Sequence, residues 1–156
     1  MKFVCRWCES DLEYEQNDTV AVCPKCGNKW AIPQLDDEDE IFKYDSAMII
    51  ANQGRLFDRK EEVLIELWQN HKNDADLIWE ILLAKYGVEY YGNPLKLKVG
   101  RFDDTPVTET MEYRKVLQLA DEAQKELFTQ QAGEILRSQM QAIAYKYYYS
   151  AYNIPI

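Results

Sequence analysis

All four cysteines of the chain lie within its first 26 residues, in two pairs with the same internal spacing. Two residues separate Cys5 from Cys8 and Cys23 from Cys26, and 14 residues lie between the pairs. A two-residue gap lets one tight turn present both sulfurs to a single point, and two such turns enclose a tetrahedron. The sequence therefore predicts one structural Zn²⁺ ion bound by Cys5, Cys8, Cys23 and Cys26, with no coordination position left for water.

Three other uses of these cysteines suit the sequence less well. Two disulfides would need an oxidising compartment, yet residues 1–4 lead into the first cysteine pair without the apolar stretch of a secretory signal. A redox dithiol would need a βαβ context that four preceding residues cannot supply. An iron–sulfur cluster also takes four thiolates, but paired spacings with a hairpin-length spacer suit zinc better. This cysteine usage is typical of a reducing, cytoplasmic protein.

Residues 1–33 resemble the zinc-ribbon family, in particular the short ribbons at the N termini of many prokaryotic proteins. The resemblance rests on Cys5-Arg6-Trp7-Cys8, on Cys23-Pro24-Lys25-Cys26-Gly27 and on Trp30. The first turn departs from the common form, because Arg6 stands where proline is usual and Glu9 where glycine is common. The resemblance implies a zinc-stabilised module of three strands. It implies little about role, since ribbons serve transcription factors, polymerase subunits, nucleic-acid binders and protein-docking adaptors.

Charge divides the chain into three segments, and its net value is −9. Residues 1–33 carry 4 basic and 5 acidic residues, residues 34–44 carry 1 and 5, and residues 45–156 carry 13 and 17. Because five consecutive acidic residues repel one another, we predict an acidic, extended linker over 34–44; a docking stripe for a basic partner is the alternative. Neither flank is basic, which argues against extensive nucleic-acid binding.

Residues 45–156 are predicted to form a mainly helical domain with one β-hairpin. Helical spacing indicates a short helix from Ser46 to Arg55, then helices that begin near Asp58 and Asn73, the last of which Gly87 ends. Over about 88–103 the period changes to that of strands: Leu95, Leu97 and Val99 alternate with polar residues after a Gly92-Asn93-Pro94 turn signal.

The C-terminal part of the chain, about 108–152, favours helix throughout. It contains no proline and a single glycine, Gly133. One unbroken helix over this length would reach roughly 66 Å, which is longer than a compact domain of this size. The apolar frame also changes between Leu127 and Leu136. We therefore expect either a break near Ala132-Gly133 or a helix that protrudes and pairs with a partner.

No catalytic arrangement is evident from the sequence. The one histidine, His71, has no free cysteine beside it and is interpreted as a surface residue at a helix C terminus. The serines lie outside nucleophile motifs, and the glycines are scattered rather than gathered into a phosphate loop. The acidic pairs Asp74/Asp76 and Asp103/Asp104 could hold magnesium or act as acid and base, but helix starts and turns explain them. We expect a non-enzyme.

Two sets of residues are candidate contact surfaces. The first is a thin basic footprint with aromatic neighbours, suited to nucleic acid or to a partner, although a solvated strand face is the favoured interpretation of its strand residues. Its members are Arg6, Trp7, Lys25, Lys29, Trp30, Lys96, Lys98 and Arg101. The second is a cluster of tyrosines on the last helix, which cannot all enter one core and therefore suggest a protein interface. Its members are Tyr145, Tyr148, Tyr149 and Tyr152.

The sequence thus predicts a small β zinc ribbon followed by a mainly α domain, in a non-enzymatic interaction protein. We expect a regulatory adaptor in a nucleic-acid process such as transcription, which acts through protein docking. One alternative is an assembly protein that oligomerises through its long C-terminal helix, and a minor one is an acidic decoy for a basic-site protein. A protein partner is expected, nucleic acid has weak support, and no run of about 18 apolar residues predicts a membrane span.

Overall fold

Helices dominate the computed structural model, which describes residues 3–92, 94–101 and 105–151, with side chains as far as Tyr145 in the last helix. The elements in chain order are β1 (Val20–Val22), β2 (Lys29–Ala31), α1 (Glu38–Gly54), α2 (Phe57–Asn70), α3 (Ala75–Lys85), β3 (Val88–Tyr91), β4 (Lys96–Val99), a 3-10 turn (Val107–Glu109), α4 (Met111–Leu119) and α5 (Glu122–Ala151). A small strand pair followed by a mainly helical body that contains one hairpin was predicted, and this order is confirmed.

The N-terminal region contains less β structure than a three-stranded module. Strands β1 and β2 pair antiparallel, with Ala21 opposite Trp30. Outside them the described part of the region has two isolated bridges, Val4 with Asp11 and Glu13 with Val22. A tight turn follows Glu13, in which the Asp18 N–H donates to the Glu15 carbonyl at 3.1 Å. The expected third strand contributes a single bridge to β1, from Glu13 to Val22.

The acidic segment begins a helix, which corrects the predicted extended linker. Asp37 is extended and its carboxylate accepts a hydrogen bond from the Glu40 N–H at 3.1 Å, so it caps α1. Glu38, Asp39 and Glu40 then form the first turn. Negative side chains are favourable there because they face the unpaired N–H groups and positive end of the helix dipole. Helix α1 therefore starts at residue 38, well before the predicted Ser46.

Helix α3 is the centre of the helical body. Its N-cap is Asp74 rather than the predicted Asn73, and its side chain accepts from the N–H groups of Asp76 and Leu77. Every residue from Ala75 to Ala84 is buried, because α2 packs on one side of α3 and α4 on another. Helix α2 starts at Phe57, one residue before the predicted start, and Gly87 turns the chain after α3 with a φ of 61°.

The hairpin forms as predicted, but the C-terminal helix breaks elsewhere. Strands β3 and β4 pair with Tyr90 opposite Leu97. Of the two alternatives expected for the C-terminal region, the break near Ala132-Gly133 is wrong, because α5 runs through Gly133 without interruption. The break instead lies between α4, which ends at Leu119, and α5, which begins at Glu122. Asp121 caps α5: its N–H donates to Gln124 Oε1 at 3.1 Å and its carboxylate accepts from the Gln124 N–H at 2.9 Å. This reciprocal cap is a sequence signal for a helix start.

The N-terminal region and the helical body share one continuous core. The Trp30 ring packs edge-on against Tyr90 of β3, with centroids 4.9 Å apart, and Phe3 packs edge-on against Tyr44 of α1 at 5.5 Å. The metal-ligand candidates Cys5 and Cys23 belong to the same cluster of buried residues. Among the described helices, none combines the length and apolar character needed to cross a membrane.

Candidate metal centre

Two similar turns present the cysteines. In the first, the Cys5 N–H donates to the Ser10 carbonyl at 2.8 Å and the Glu9 N–H to the Cys5 carbonyl at 2.9 Å. In the second, Cys23 makes the equivalent bonds with Asn28 at 3.0 Å and Gly27 at 2.9 Å. Both turns need a left-handed residue after the second cysteine, and the φ angles are 60° at Glu9 and 77° at Gly27. Glycine adopts this conformation without strain, whereas Glu9 does so at a cost.

The four sulfurs are grouped closely enough to surround one ion. The Sγ atoms of Cys5 and Cys26 lie 3.7 Å apart and those of Cys8 and Cys23 lie 3.4 Å apart. All four lie within 4.8 Å of one another, and none forms a disulfide. A metal–thiolate bond of about 2.3 Å gives tetrahedral edges of about 3.8 Å. The four cysteines therefore form a candidate site for a single metal ion that four ligands saturate.

The pKa values of three of the four sulfurs are shifted, in different directions. Burial raises the pKa of Cys5, and it raises the pKa of Cys26 to about 12. Burial also acts to raise the pKa of Cys8, but hydrogen bonds from Ser10 and from neighbouring thiols outweigh it and lower the value to about 6. The Trp30 indole N–H donates to Cys5 Sγ at 3.2 Å. A divalent cation stabilises all the thiolates together, and its binding releases protons.

A buried polar cluster lies behind the first turn. Arg6, between the two cysteines of the first pair, is only 4% exposed. Its Nη2 donates to the Ala31 carbonyl at 3.0 Å and to Tyr44 Oη, and its guanidinium lies 4.9 Å from the centre of the Trp30 ring. The Tyr44 hydroxyl donates in turn to Asp76 Oδ2 at 2.5 Å. The first turn is thereby attached to α1 and α3.

The same cluster continues to α2 and β3. Lys60 Nζ lies 2.8 Å from Glu80 Oε2, and the Tyr90 hydroxyl donates to Glu80 Oε1 at 2.5 Å. Burial raises the pKa of Asp76, an effect that the positive charge of Arg6 opposes. Arg6 and Lys60 thus share one buried cluster with Asp76 and Glu80, in which Lys60 and Glu80 form the direct ion pair. This cluster was not predicted from the sequence, where Asp76 was assigned to a helix start, because the partners in the cluster are far apart along the chain.

The structure separates the predicted basic footprint. Arg6 and Trp30 are buried, which corrects their assignment as contact residues, whereas Trp7, Lys25 and Lys29 remain exposed. The Leu95 N–H donates to Asn28 Oδ1 at 3.2 Å, and this contact brings the second cysteine turn beside the hairpin.

The three basic residues of the hairpin region differ in their surroundings. Lys96 is exposed, while Lys98 lies 3.6 Å from Glu89 and Arg101 lies 2.8 Å from Asp58. What remains of the footprint is therefore sparse and partly neutralised by carboxylates.

The remaining candidate residues lie on α5, at the end of α2 or outside the described residues. Tyr145 is 60% exposed on α5, while the side chains of Tyr148 and Tyr149 and the whole of Tyr152 lie outside the described residues. His71 is half-buried and its Nε2 lies 3.0 Å from Glu40 Oε1, so it joins α2 to α1 instead of facing solvent. Asp103 and Asp104 also lie outside the described residues.

Comparisons of the chain with protein-family models, with curated proteins and with solved structures found no match.

Proposed function

We propose that this chain is a non-enzymatic interaction protein, in which one structural zinc ion fixes the N-terminal region onto a helical body that docks on other proteins. The observation that carries the proposal is the closed set of four cysteine sulfurs joined to the body through Arg6. Soft thiolate ligands at tetrahedral spacing favour zinc over hard cations such as magnesium. Because four sulfurs fill the coordination shell, the ion stabilises the fold and has no position for a substrate.

The burial of Arg6 and Trp30 supports protein docking over direct nucleic-acid binding. These two residues would have supplied a cation and a stacking ring beside the exposed Lys25 and Lys29, and neither reaches the surface. A nucleic-acid surface needs several unpaired cations along a backbone path, and a net charge of −9 works against it. A regulatory adaptor in a process such as transcription would therefore act here by contacting the protein machinery.

The C-terminal half of α5 favours a second candidate, assembly with other copies of the chain. Helix α5 has 30 residues, about 45 Å at 1.5 Å per residue. Its last buried side chain among the described residues is Gln139, and from Met140 to Tyr145 every side chain is exposed or half-buried. A helix that leaves the body with Met140, Ile143 and Tyr145 along it is suited to pairing with a second helix.

The test begins with elemental analysis of the purified chain, for which we expect one zinc ion per molecule. Affinity capture from a lysate of the source cell, with mass spectrometry, should then retain a partner in constant ratio to the chain and absent from empty matrix. Light scattering on the isolated chain tests the second candidate. A Met140→Glu/Tyr145→Glu variant should convert a multimer to a monomer. A zinc-free, monomeric chain that captures nothing would contradict both candidates.

A further inference from the structure

Helices α2, α3 and α4 line an open groove of about 630 Å³. Its floor is apolar and is formed by Ile65 and Trp68 of α2 with Ile78 and Ile81 of α3. Met111, at the start of α4, stands at its edge and is 79% exposed. An apolar floor left open between three helices, with an exposed methionine at its edge, is a candidate interaction site.

The rim of this groove is basic. Four exposed cations surround the floor: Lys72, Lys85, Arg114 and Lys115. The one acidic residue in the lining is Glu112. This charge is unusual in a chain with 27 acidic residues against 18 lysines and arginines.

The rim cations also differ from most cations elsewhere on the protein. Arg55, Arg59, Lys98 and Arg101 lie 2.6–3.6 Å from carboxylate oxygens. None of the four rim cations makes an ion pair within residues 3–92, 94–101 and 105–151. Lys72 instead lies over the Trp68 ring, with Nζ 5.4 Å from its centre. A partner's carboxylates could therefore meet these charges without displacing an existing ion pair.

We propose that this groove binds an acidic amphipathic segment of a partner protein. Apolar side chains at helical spacing on that segment lie against Ile65, Trp68 and Ile81, and its carboxylates face the rim cations. The inference rests on the proposed function, because it names the chemistry of the partner on which the helical body docks.

Two other occupants fit the groove less well. A nucleic acid would match the cations, but the floor is mostly aliphatic and offers one indole ring for stacking. A second copy of the chain would have to bring its own acidic run, yet in that run Asp37 caps α1 and Glu40 lies against His71. Those carboxylates are already engaged, which leaves an acidic segment of a different protein as the occupant.

The experiment selects peptides of about 16 residues from a random displayed library on the immobilised, zinc-loaded full chain. We expect the enriched peptides to carry a net negative charge and apolar residues at i, i+3 or i+4, and i+7. Synthetic versions should bind the Lys85→Glu/Lys115→Glu variant at least about tenfold more weakly, and their affinity should fall as salt rises. A Met111→Glu variant, at a largely exposed position, should weaken binding through the apolar edge.

The matched control is a Lys125→Glu/Arg137→Glu variant, which changes net charge equally on α5, away from the groove. It should bind the peptides within about twofold of the unmodified chain. All variants are compared at equal zinc content and equal thermal midpoint, so a folding defect is recognised.

Several outcomes would overturn the inference. These are enrichment of neutral or basic peptides, binding that survives the groove variant, no enrichment above empty matrix, a dimer that the groove variant dissociates, or duplex DNA that competes for the groove. The proposed function is judged separately by lysate capture and light scattering. A partner captured equally by the groove variant would keep the function and reject the groove.

Discussion

The N-terminal region and the helical body of this protein reach stability by different means. Residues 3–35 contain one ladder of two three-residue strands and two isolated bridges, so regular backbone pairing is scarce. The body instead surrounds α3, which is buried along its length by neighbouring helices. A small module buries little apolar surface of its own, and the four cysteines offer a metal site that would add stabilisation there.

The two regions are also coupled by side-chain contacts. Arg6 and Trp30 belong to the N-terminal region by sequence, yet Arg6 interacts with Tyr44 and Trp30 packs on Tyr90 in the body. The predicted separation of residues 1–33 from the helical domain by a linker over 34–44 therefore does not describe the packing. Loss of the metal should reach the helical body through these two side chains.

Removing the metal should cause the largest loss of stability, and it tests whether the two regions are coupled. A Cys23→Ser substitution takes away one of four ligands, and structural zinc contributes roughly 10 kcal/mol in small zinc-dependent folds. We expect hydrogen exchange, followed by mass spectrometry, to show loss of protection across residues 3–35 and weaker protection in α1 and β3. The control is Lys25→Ala, which keeps all four ligands. Unchanged protection in α1 and β3 would indicate that the two regions are independent.

An Arg6→Met substitution should cause the second-largest loss of stability. It removes the buried guanidinium that donates to the Ala31 carbonyl and the Tyr44 hydroxyl, and each buried polar group left without its partner costs about 1–3 kcal/mol. Urea unfolding at constant zinc content measures the loss, and an Arg59→Met control at an exposed position should change stability by less than about 0.5 kcal/mol. The double substitution Arg6→Met/Asp76→Leu should recover part of the loss. An equal loss in the Arg6 variant and its control would exclude a stabilising role for the cluster.

Asp45 of α1 should make stability depend on pH. Burial raises the pKa of its carboxyl to about 6 from 3.8, Arg6 and a hydrogen bond from the Val4 N–H oppose the rise, and Asp11 adds to it. The folded state holds the proton more tightly, so this contribution is fully present below about pH 3.8 and is lost as the pH rises through about 6.

An Asp45→Asn substitution should therefore stabilise the protein above pH 6, by about 1–2 kcal/mol after allowance for solvent screening. The gain should shrink toward zero as the pH approaches 4, and urea titrations of both proteins across this range give the difference. Taking the difference cancels the protonation of the cysteines, which both proteins share. A constant difference across the range would exclude titration of Asp45 as its cause.

The smallest effect should come from the two cysteine turns. Glu9 and Gly27 occupy the same left-handed position, so Glu9→Gly should stabilise the protein and Gly27→Ala should destabilise it, each by about 0.5–1 kcal/mol. The Glu9 change also loses an exposed hydrogen bond from Gln53, which keeps its gain at the lower end. Thermal midpoints of the zinc-loaded proteins measure both, and shifts of the same sign would contradict the equivalence of the turns.

The sequence by itself determined the features that depend on neighbouring residues. The cysteine spacing predicted the grouping of the four sulfurs, and the Gly92-Asn93-Pro94 turn with alternating leucines predicted the hairpin, because turn and strand preferences act within a few residues. The caps at Asp37 and Asp121 were equally local signals. The acidic run was predicted to be extended because its charges repel one another, and the start of α1 was therefore misplaced. The helix-forming composition of residues 108–152 predicted helix throughout, and the start of α5 was therefore misplaced.

Only the tertiary structure decided which polar residues are buried and which surface stays open. Arg6 lies 70 positions before Asp76, and no local pattern indicates that folding brings a guanidinium and a carboxylate into one dry cluster. The groove likewise combines α2, α3 and α4, whose apolar stripes look the same in sequence whether a neighbouring helix covers them or leaves them open. Burial depends on the packing of the whole chain, whereas periodicity in the sequence shows only which side of a helix is apolar.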